Sequence, residues 1–198
     1  MIAKTNYLLG VDLETTGVDF EHDFVLEIAA VALDERLNTL GRFGSLVTEA
    51  ATYGHLEAQL DPKVREWHEK SGLLAEVRRE YERAQRSTTP QLVEMRLLEF
   101  LRRMGMRPGE IMLIGYSVQF DKRMIERALP LFDWACSYQI LEVGSGRRIF
   151  NLADFGLKKP DAGAAHRASV DIEAAIDELR RLRDFARIAK RFAPQAVS

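Results

Sequence analysis

Cysteine is nearly absent: Cys136 is the only one in 198 residues, so neither an internal disulfide nor a cysteine-built zinc site is available. Apolar runs such as Ile28–Leu33 are short, far below the roughly 20 residues that span a bilayer. The start, Met1-Ile2-Ala3-Lys4-Thr5-Asn6, lacks the basic flank and long apolar segment of a secretory leader, so a cytoplasmic location is expected. An excess of one charge sign is missing too. With 28 Lys+Arg against 30 Asp+Glu the net charge is −2, which excludes nucleic-acid binding through bulk charge and leaves only local patches. No internal repeat, low-complexity stretch or inter-domain linker is visible.

What remains suits a folded core. Apolar residues make up 46% and charged residues 29%, and 198 residues against roughly 150 per domain implies one domain over 1–198, its core about 5–190 and 191–198 a frayed tail. Tyr7–Leu13 reads as a buried strand. Phe24–Leu33 and Arg36–Val47 read as a hairpin turning at Asp34-Glu35, followed by an irregular stretch over 48–62. A helix capped by Thr88 or Thr89, with Gln91 closing a capping box, presents Val93, Leu97, Phe100, Leu101 and Met104 on one face and stops at Gly105 and Pro108. Ile111–Gly115 is a second core strand, Asp121–Leu129 a short helix stopped by Pro130, and Trp134–Ile140 a last strand. The final helix aligns Ile172, Ala175, Ile176, Leu179, Leu182 and Ala186, with Arg180, Arg181, Arg183, Arg187, Lys190 and Arg191 on its outer side. Strands first, then alternating helix and strand, give an α/β fold with a mixed sheet flanked by helices.

Several acids sit at the ends of core elements. Asp12 and Glu14 alternate on one strand, so both carboxylates project from the same face. Two anions there repel and resist burial. Either one is solvated or caps a loop, or a divalent cation lies between them; oxygen ligands suit Mg²⁺ or Mn²⁺. Asp121 can be a helix cap, Asp171 can complement a helix dipole, and His166 can be a surface loop residue. Together, four acids and one histidine at element ends also describe a two-cation phosphodiester site in which a histidine accepts the proton of the attacking water.

Three segments, Asp12-Leu13-Glu14-Thr15-Thr16-Gly17, Ser117-Val118-Gln119-Phe120-Asp121 and His166-Arg167-Ala168-Ser169-Val170-Asp171, resemble the motifs of the DEDDh family of 3′→5′ exonucleases. The resemblance implies a ribonuclease-H-like fold, a mixed five-stranded sheet flanked by helices. It also implies two Mg²⁺ or Mn²⁺ ions on Asp12, Glu14, Asp121 and Asp171, with His166 as general base. His68-Glu69-Lys70-Ser71-Gly72-Leu73 is similar to a segment of the oligoribonuclease branch. That branch degrades very short RNAs to nucleoside 5′-monophosphates as a homodimer. By this likeness Thr15, Thr16, Gly17, Val18, Trp67, His68, Ser117 and Tyr138 contact substrate: Val18 and Trp67 the bases, Ser117 the terminal phosphate, Tyr138 across the dimer interface.

Departures fall in one place. Gln139 replaces an arginine that grips a 5′ phosphate, Gly144 replaces a serine, and Glu142 adds a negative charge. Phe120 before Asp121 follows broader exonucleases and proofreading subunits. A broader single-strand exonuclease is therefore the alternative substrate class, and Arg147-Arg148 or Lys158-Lys159 are candidate replacement phosphate contacts or merely solvated charge. A catalytically silent nucleic-acid binder is the non-enzyme alternative; it would lack an acid or the histidine, and all five are present.

Overall fold

The structure, a computed structural model, describes residues 7–150 and 166–192. Five strands, β1 (Tyr7–Thr15), β2 (Val25–Leu33), β3 (Thr39–Leu46), β4 (Ile111–Gly115) and β5 (Cys136–Glu142), form one sheet in the order β3-β2-β1-β4-β5. The β1–β2 and β2–β3 pairs are antiparallel; β4 and β5 continue from β1 in parallel. Eight helices lie among the described residues: α1 (Tyr53–Gln59), α2 (Pro62–Lys70), α3 (Leu73–Glu82), α4 (Pro90–Arg103), α5 (Val118–Ala128), α6 (Pro130–Ala135), α7 (Val143–Phe150) and α8 (Ala168–Phe192). None of the described helices is long and apolar enough to cross a membrane.

Alternation along the strands sorts the core into two faces. Leu9, Val11 and Leu13 of β1 join Ile28, Ala30 and Ala32 of β2 against Val93, Leu97, Phe100, Met124, Ile125 and Phe132 of α4, α5 and α6. Ala29, Val31 and Leu33 point the other way, onto Ile172, Ala175 and Ile176 of α8. Covered on both sides, β2 is buried along its whole length. A third cluster joins Leu26 to Leu56, Leu73, Leu74 and Val77, seating α1 and α3 beside the sheet. Gly10 faces α8, and a Cβ there would stand 2.9 Å from Ile176 Cδ1 and 3.0 Å from Ile172 Cδ1. Its missing side chain lets α8 press onto β1. Two and four residues later, Asp12 and Glu14 emerge on this same face.

Several sequence expectations need correction at element ends. The hairpin turn is longer, so β3 starts at Thr39 rather than Arg36, because Asp34 Oδ1 accepts the N–H groups of Arg36 and Asn38, each at 2.8 Å. Within 48–62 a helix does form, α1, capped by Thr52 Oγ1 on the His55 N–H; with Leu56 its one buried residue it leaves no periodic pattern. The capping box is not made: Thr89 is the N-cap without a side-chain bond, while Thr88 turns inward to Glu80 and Thr48. Asp121 lies in the first turn of a helix that begins at Val118. Pro130 opens α6, so Trp134 is helical and the last strand starts at Cys136.

On α8, Ala186 is exposed rather than part of the core face. Glu178 is buried and accepts the Tyr116 hydroxyl at 2.7 Å, so it does not belong to the outer face. Arg180 and Arg183 tie the helix to the β2–β3 turn through the carbonyls of Leu37 and Arg36. The tail expected from 191 begins later, since α8 runs on to Phe192; 193–198 and Lys158-Lys159 lie outside the described residues, as do the side chains of Arg147, Lys190 and Arg191.

Candidate active site

The face shared by β1 and α8 ends in acid. Carboxylate oxygens of Asp12, Glu14 and Asp171 all lie within 4.8 Å of one another, and all three residues are half-buried. Strand alternation supplies the first two, and the close seating of α8 over Gly10 brings the third. Asp121 arrives from the opposite layer: its Oδ1 accepts the Leu13 N–H at 3.0 Å, and its charge raises the Asp12 pKa.

Burial pushes the Asp12 carboxyl well above its usual range, helped by the charges of Asp121, Glu14 and Asp171. Burial, then Asp171 and Glu27, push Glu14 up to about 8, with Arg167 opposing. Burial likewise lifts Asp121 to about 7, against hydrogen bonds from the backbone. Arg167 is not free to neutralise the group. Its guanidinium meets Glu27 at 2.7 Å and Glu76 at 3.0 Å. A cluster of hard oxygen donors that repel one another fits a divalent cation, and Asp12, Glu14 and Asp171 are the residues able to hold it.

His166, two residues before the start of α8, lies in the left-handed region, φ +38°, with its ring stacked on Trp67: centroids 4.6 Å apart, planes 6° from parallel. Lys63, one turn earlier on α2, lies 5.1 Å from the Trp67 ring centroid. Immediately after His166, Arg167 makes its double clamp and the Ala168 N–H donates to Glu27 Oε2 at 3.0 Å, fixing the start of α8.

The residues expected to touch substrate divide into two sets. Val18 (82% exposed) and Tyr138 (81% exposed) project into solvent, Ser117 is exposed, and Trp67 is half-buried. The side chains of Thr15, Thr16 and His68 turn inward. The Thr15 hydroxyl bonds the Gly17 carbonyl at 2.6 Å, and the Thr16 hydroxyl bonds Asp23 Oδ1 at 2.7 Å. A Cβ at Gly17 would meet Asp23 Oδ2 at 2.4 Å, so only glycine fits that turn. His68 is buried; its Nε2–H donates to the Thr15 carbonyl at 3.0 Å and lies 3.7 Å from Glu14 Oε2. These residues hold the loop that positions Glu14 and Val18.

Sequence reasoning missed Asp23, Glu27, Glu76 and Arg167 as the frame of the site. Glu27 inside an otherwise apolar strand was the one available signal, since a buried acid needs a partner.

A carboxylate cluster at the end of the central strand, on a mixed sheet of this order, defines the ribonuclease-H-like nuclease class. The exonuclease family model of RNase T type matches residues 9–179. Oligoribonuclease from Nocardia farcinica is 32% identical over 183 residues, covering 90% of this chain and 80% of the relative. Its counterpart from Corynebacterium glutamicum is 33% identical over 181 residues, covering 89% and 78%. Among solved structures, E. coli exonuclease I in complex with a dA16 oligonucleotide superposes with a TM-score of 0.62 at 18% identity. That match covers 91% of this chain and 42% of that one, so this chain spans less than half of exonuclease I. The chain belongs to the exonuclease family, and its class is that of the 3′→5′ exonucleases.

Proposed function

We propose that this protein is a two-cation 3′→5′ exonuclease that hydrolyses short RNA oligonucleotides to nucleoside 5′-monophosphates, as one catalytic domain working in a homodimer. The observation that carries this reading is the convergence of Asp12, Glu14 and Asp171, with Asp121 beside them, in a cluster where burial and mutual repulsion raise the Asp12 and Glu14 carboxyls. Bound there, a pair of Mg²⁺ or Mn²⁺ ions would activate water and stabilise the leaving oxygen.

The remaining work belongs to the chain. His166 accepts the proton of the attacking water, and the stack on Trp67 together with the Arg167 clamp restricts where its imidazole can go. Val18 stands exposed at the entrance to meet a base, and Trp67 offers the flat surface for stacking. The oligoribonuclease relatives favour short RNA. The exposed Tyr138, Ile140 and Leu141 on edge strand β5 favour pairing with a second copy. Gln139 in place of a phosphate-gripping arginine, with Gly144 in place of a serine and the negative charge of Glu142 nearby, favours the second reading of a broader single-strand exonuclease.

The test is incubation with end-labelled RNA and DNA of two to twenty nucleotides, with Mg²⁺, Mn²⁺ or chelator. Release of 5′-mononucleotides from the 3′ end, fastest on the shortest RNAs and absent in chelator, is expected. Equal rates on long DNA would establish the broader reading instead. His166→Ala should slow turnover by roughly 10²–10⁴-fold; an unchanged rate across pH 6–9 removes His166 from the mechanism.

A further inference from the structure

The end of α3 and the segment after it, Arg78 to Arg86, carry four arginines against two glutamates. That is a local charge of +2 in a chain whose net charge is −2. Between this segment and the start of α1 lies a hollow of about 450 Å³, lined among others by Tyr53, Arg78, Tyr81, Glu82, Arg83 and Arg86. Its volume is in the range of small-ligand sites, about 300–1,000 Å³.

Rings and cations are paired inside it. Tyr53 and Tyr81 meet edge to face, with centroids 6.0 Å apart and planes 63° from parallel. The Arg78 guanidinium lies 5.6 Å from the Tyr53 centroid, and that of Arg86 lies 5.1 Å from the Tyr81 centroid. Both tyrosines pack on the cluster around Leu26 and Leu56, and the Tyr81 hydroxyl and Arg86 Nη1 donate to the Ala50 carbonyl at 2.9 and 3.5 Å. The wall is therefore held in place by the core. Ion pairing along the helix accounts for only part of the charge. Arg78 pairs with Glu82 at 3.1 Å and Arg83 with Glu80 at 3.0 Å, whereas Arg79 and Arg86 form no ion pair among the described residues. Such pairs also give no reason for two guanidiniums to lie over tyrosine rings.

Aromatic faces beside excess guanidinium charge are the chemistry that holds single-stranded nucleic acid: bases stack on the rings and phosphates meet the cations. The position suits a strand whose end is at the acids. Glu76, on the same helix, is gripped by Arg167 next to His166. Tyr81 is five residues further on, about 7.5 Å at 1.5 Å per residue. A single strand with a phosphate every 3.4 Å or more crosses from the acids to the hollow within about four nucleotides.

We infer that this hollow is an accessory site for single-stranded nucleic acid. It stacks a base several nucleotides 5′ of the scissile bond on its tyrosine–arginine pairs and places the adjoining phosphates against its guanidiniums. The inference rests on the exonuclease reading given above, and the site adds affinity only to strands long enough to span both places.

The experiment uses the full chain with a fluorescent dinucleotide and a fluorescent 12-nucleotide RNA. Binding is followed by anisotropy in chelator across a salt series, and kcat/KM is measured with Mg²⁺. The intact protein should bind the 12-nucleotide strand at least tenfold more tightly than the dinucleotide. Arg78→Gln combined with Arg86→Gln should weaken binding of the long strand about tenfold and lower its salt slope by about 1.4, two phosphate contacts at roughly 0.7 each. Tyr53→Leu should weaken the same binding fivefold or more through lost stacking. Dinucleotide kcat/KM should stay within about twofold of the parent in both variants, and thermal melts check that they remain folded. Equal affinity of the intact protein for the two lengths overturns the inference. Unchanged long-strand binding in the folded variants overturns it too, as does an equal loss on both lengths, which would place the effect at the acids. Absence of cleavage by the intact protein would instead refute the exonuclease reading, and the anisotropy in chelator still decides the hollow.

Discussion

Glu14 and Glu27 stand opposite each other on β1 and β2 as register partners, yet they live in different electrostatic worlds. Glu27 receives hydrogen bonds from the Nε–H and Nη2–H groups of Arg167 and from the Ala168 N–H. Glu14 has Asp12 and Asp171 within 4.8 Å instead, and is pushed up to about 8. One strand spacing separates a compensated acid from an uncompensated one. The compensated group builds the site, locking β2, α3 and the start of α8 together. The uncompensated group stores repulsion that a cation would relieve, which is how local strain marks a functional position.

Breaking the uncompensated side should have the largest effect. Asp12→Asn should abolish cation-dependent hydrolysis, measured on end-labelled RNA, while raising the metal-free melting temperature by a few degrees, since removing one repelling charge gains about 0.5–2 kcal/mol. Substantial residual activity would refute the cation assignment. On the compensated side Arg167→Ala leaves Glu27 and Glu76 without their partner. It should cost about 2–3 kcal/mol in urea unfolding, the low end for a broken buried pair because Glu76 reaches solvent; a loss below about 0.5 kcal/mol would make the clamp incidental.

The contrast also has a pH signature. The folded-state pKa of Glu14, near 8, lies above its ordinary 4.5, so the folded chain binds more protons than the unfolded chain between those values. In chelator, stability should be greatest below about pH 4.5 with respect to this group and fall as pH rises toward 8. Saturating Mg²⁺ should flatten that slope in thermal melts; identical slopes with and without the cation would contradict the site. Least affected should be Arg187→Ala, which removes an exposed ion pair to Asp184 at 3.6 Å and should stay within about 0.5 kcal/mol of the parent.

Much of the site was readable because strand alternation is rigid. Asp12 and Glu14 had to share a face, and a like-charged pair there pointed to a cation as one way to relieve the repulsion. The core strands and the apolar faces of α4 and α8 were legible for the same reason, as periodic burial over many residues. Short elements were not. In α1 a single buried leucine leaves no period to read, and Pro130 serves equally to end one helix or begin the next. Glu27, hidden in an apolar run, gave no hint that its partner was Arg167, because a sequence carries no record of which surfaces will meet.

Residue order alone therefore determined the acids, the strand that presents two of them, and the family to which the chain belongs. Only the tertiary structure decided which charges were neutralised. Arg167 reached Glu27 and Glu76 rather than Glu14, and Glu142 accepted backbone N–H groups from Ser117 before α5 and Gly144 in α7. The physical reason is that Coulomb energy and desolvation depend on separations of a few ångströms, and those separations are set by packing across the sheet.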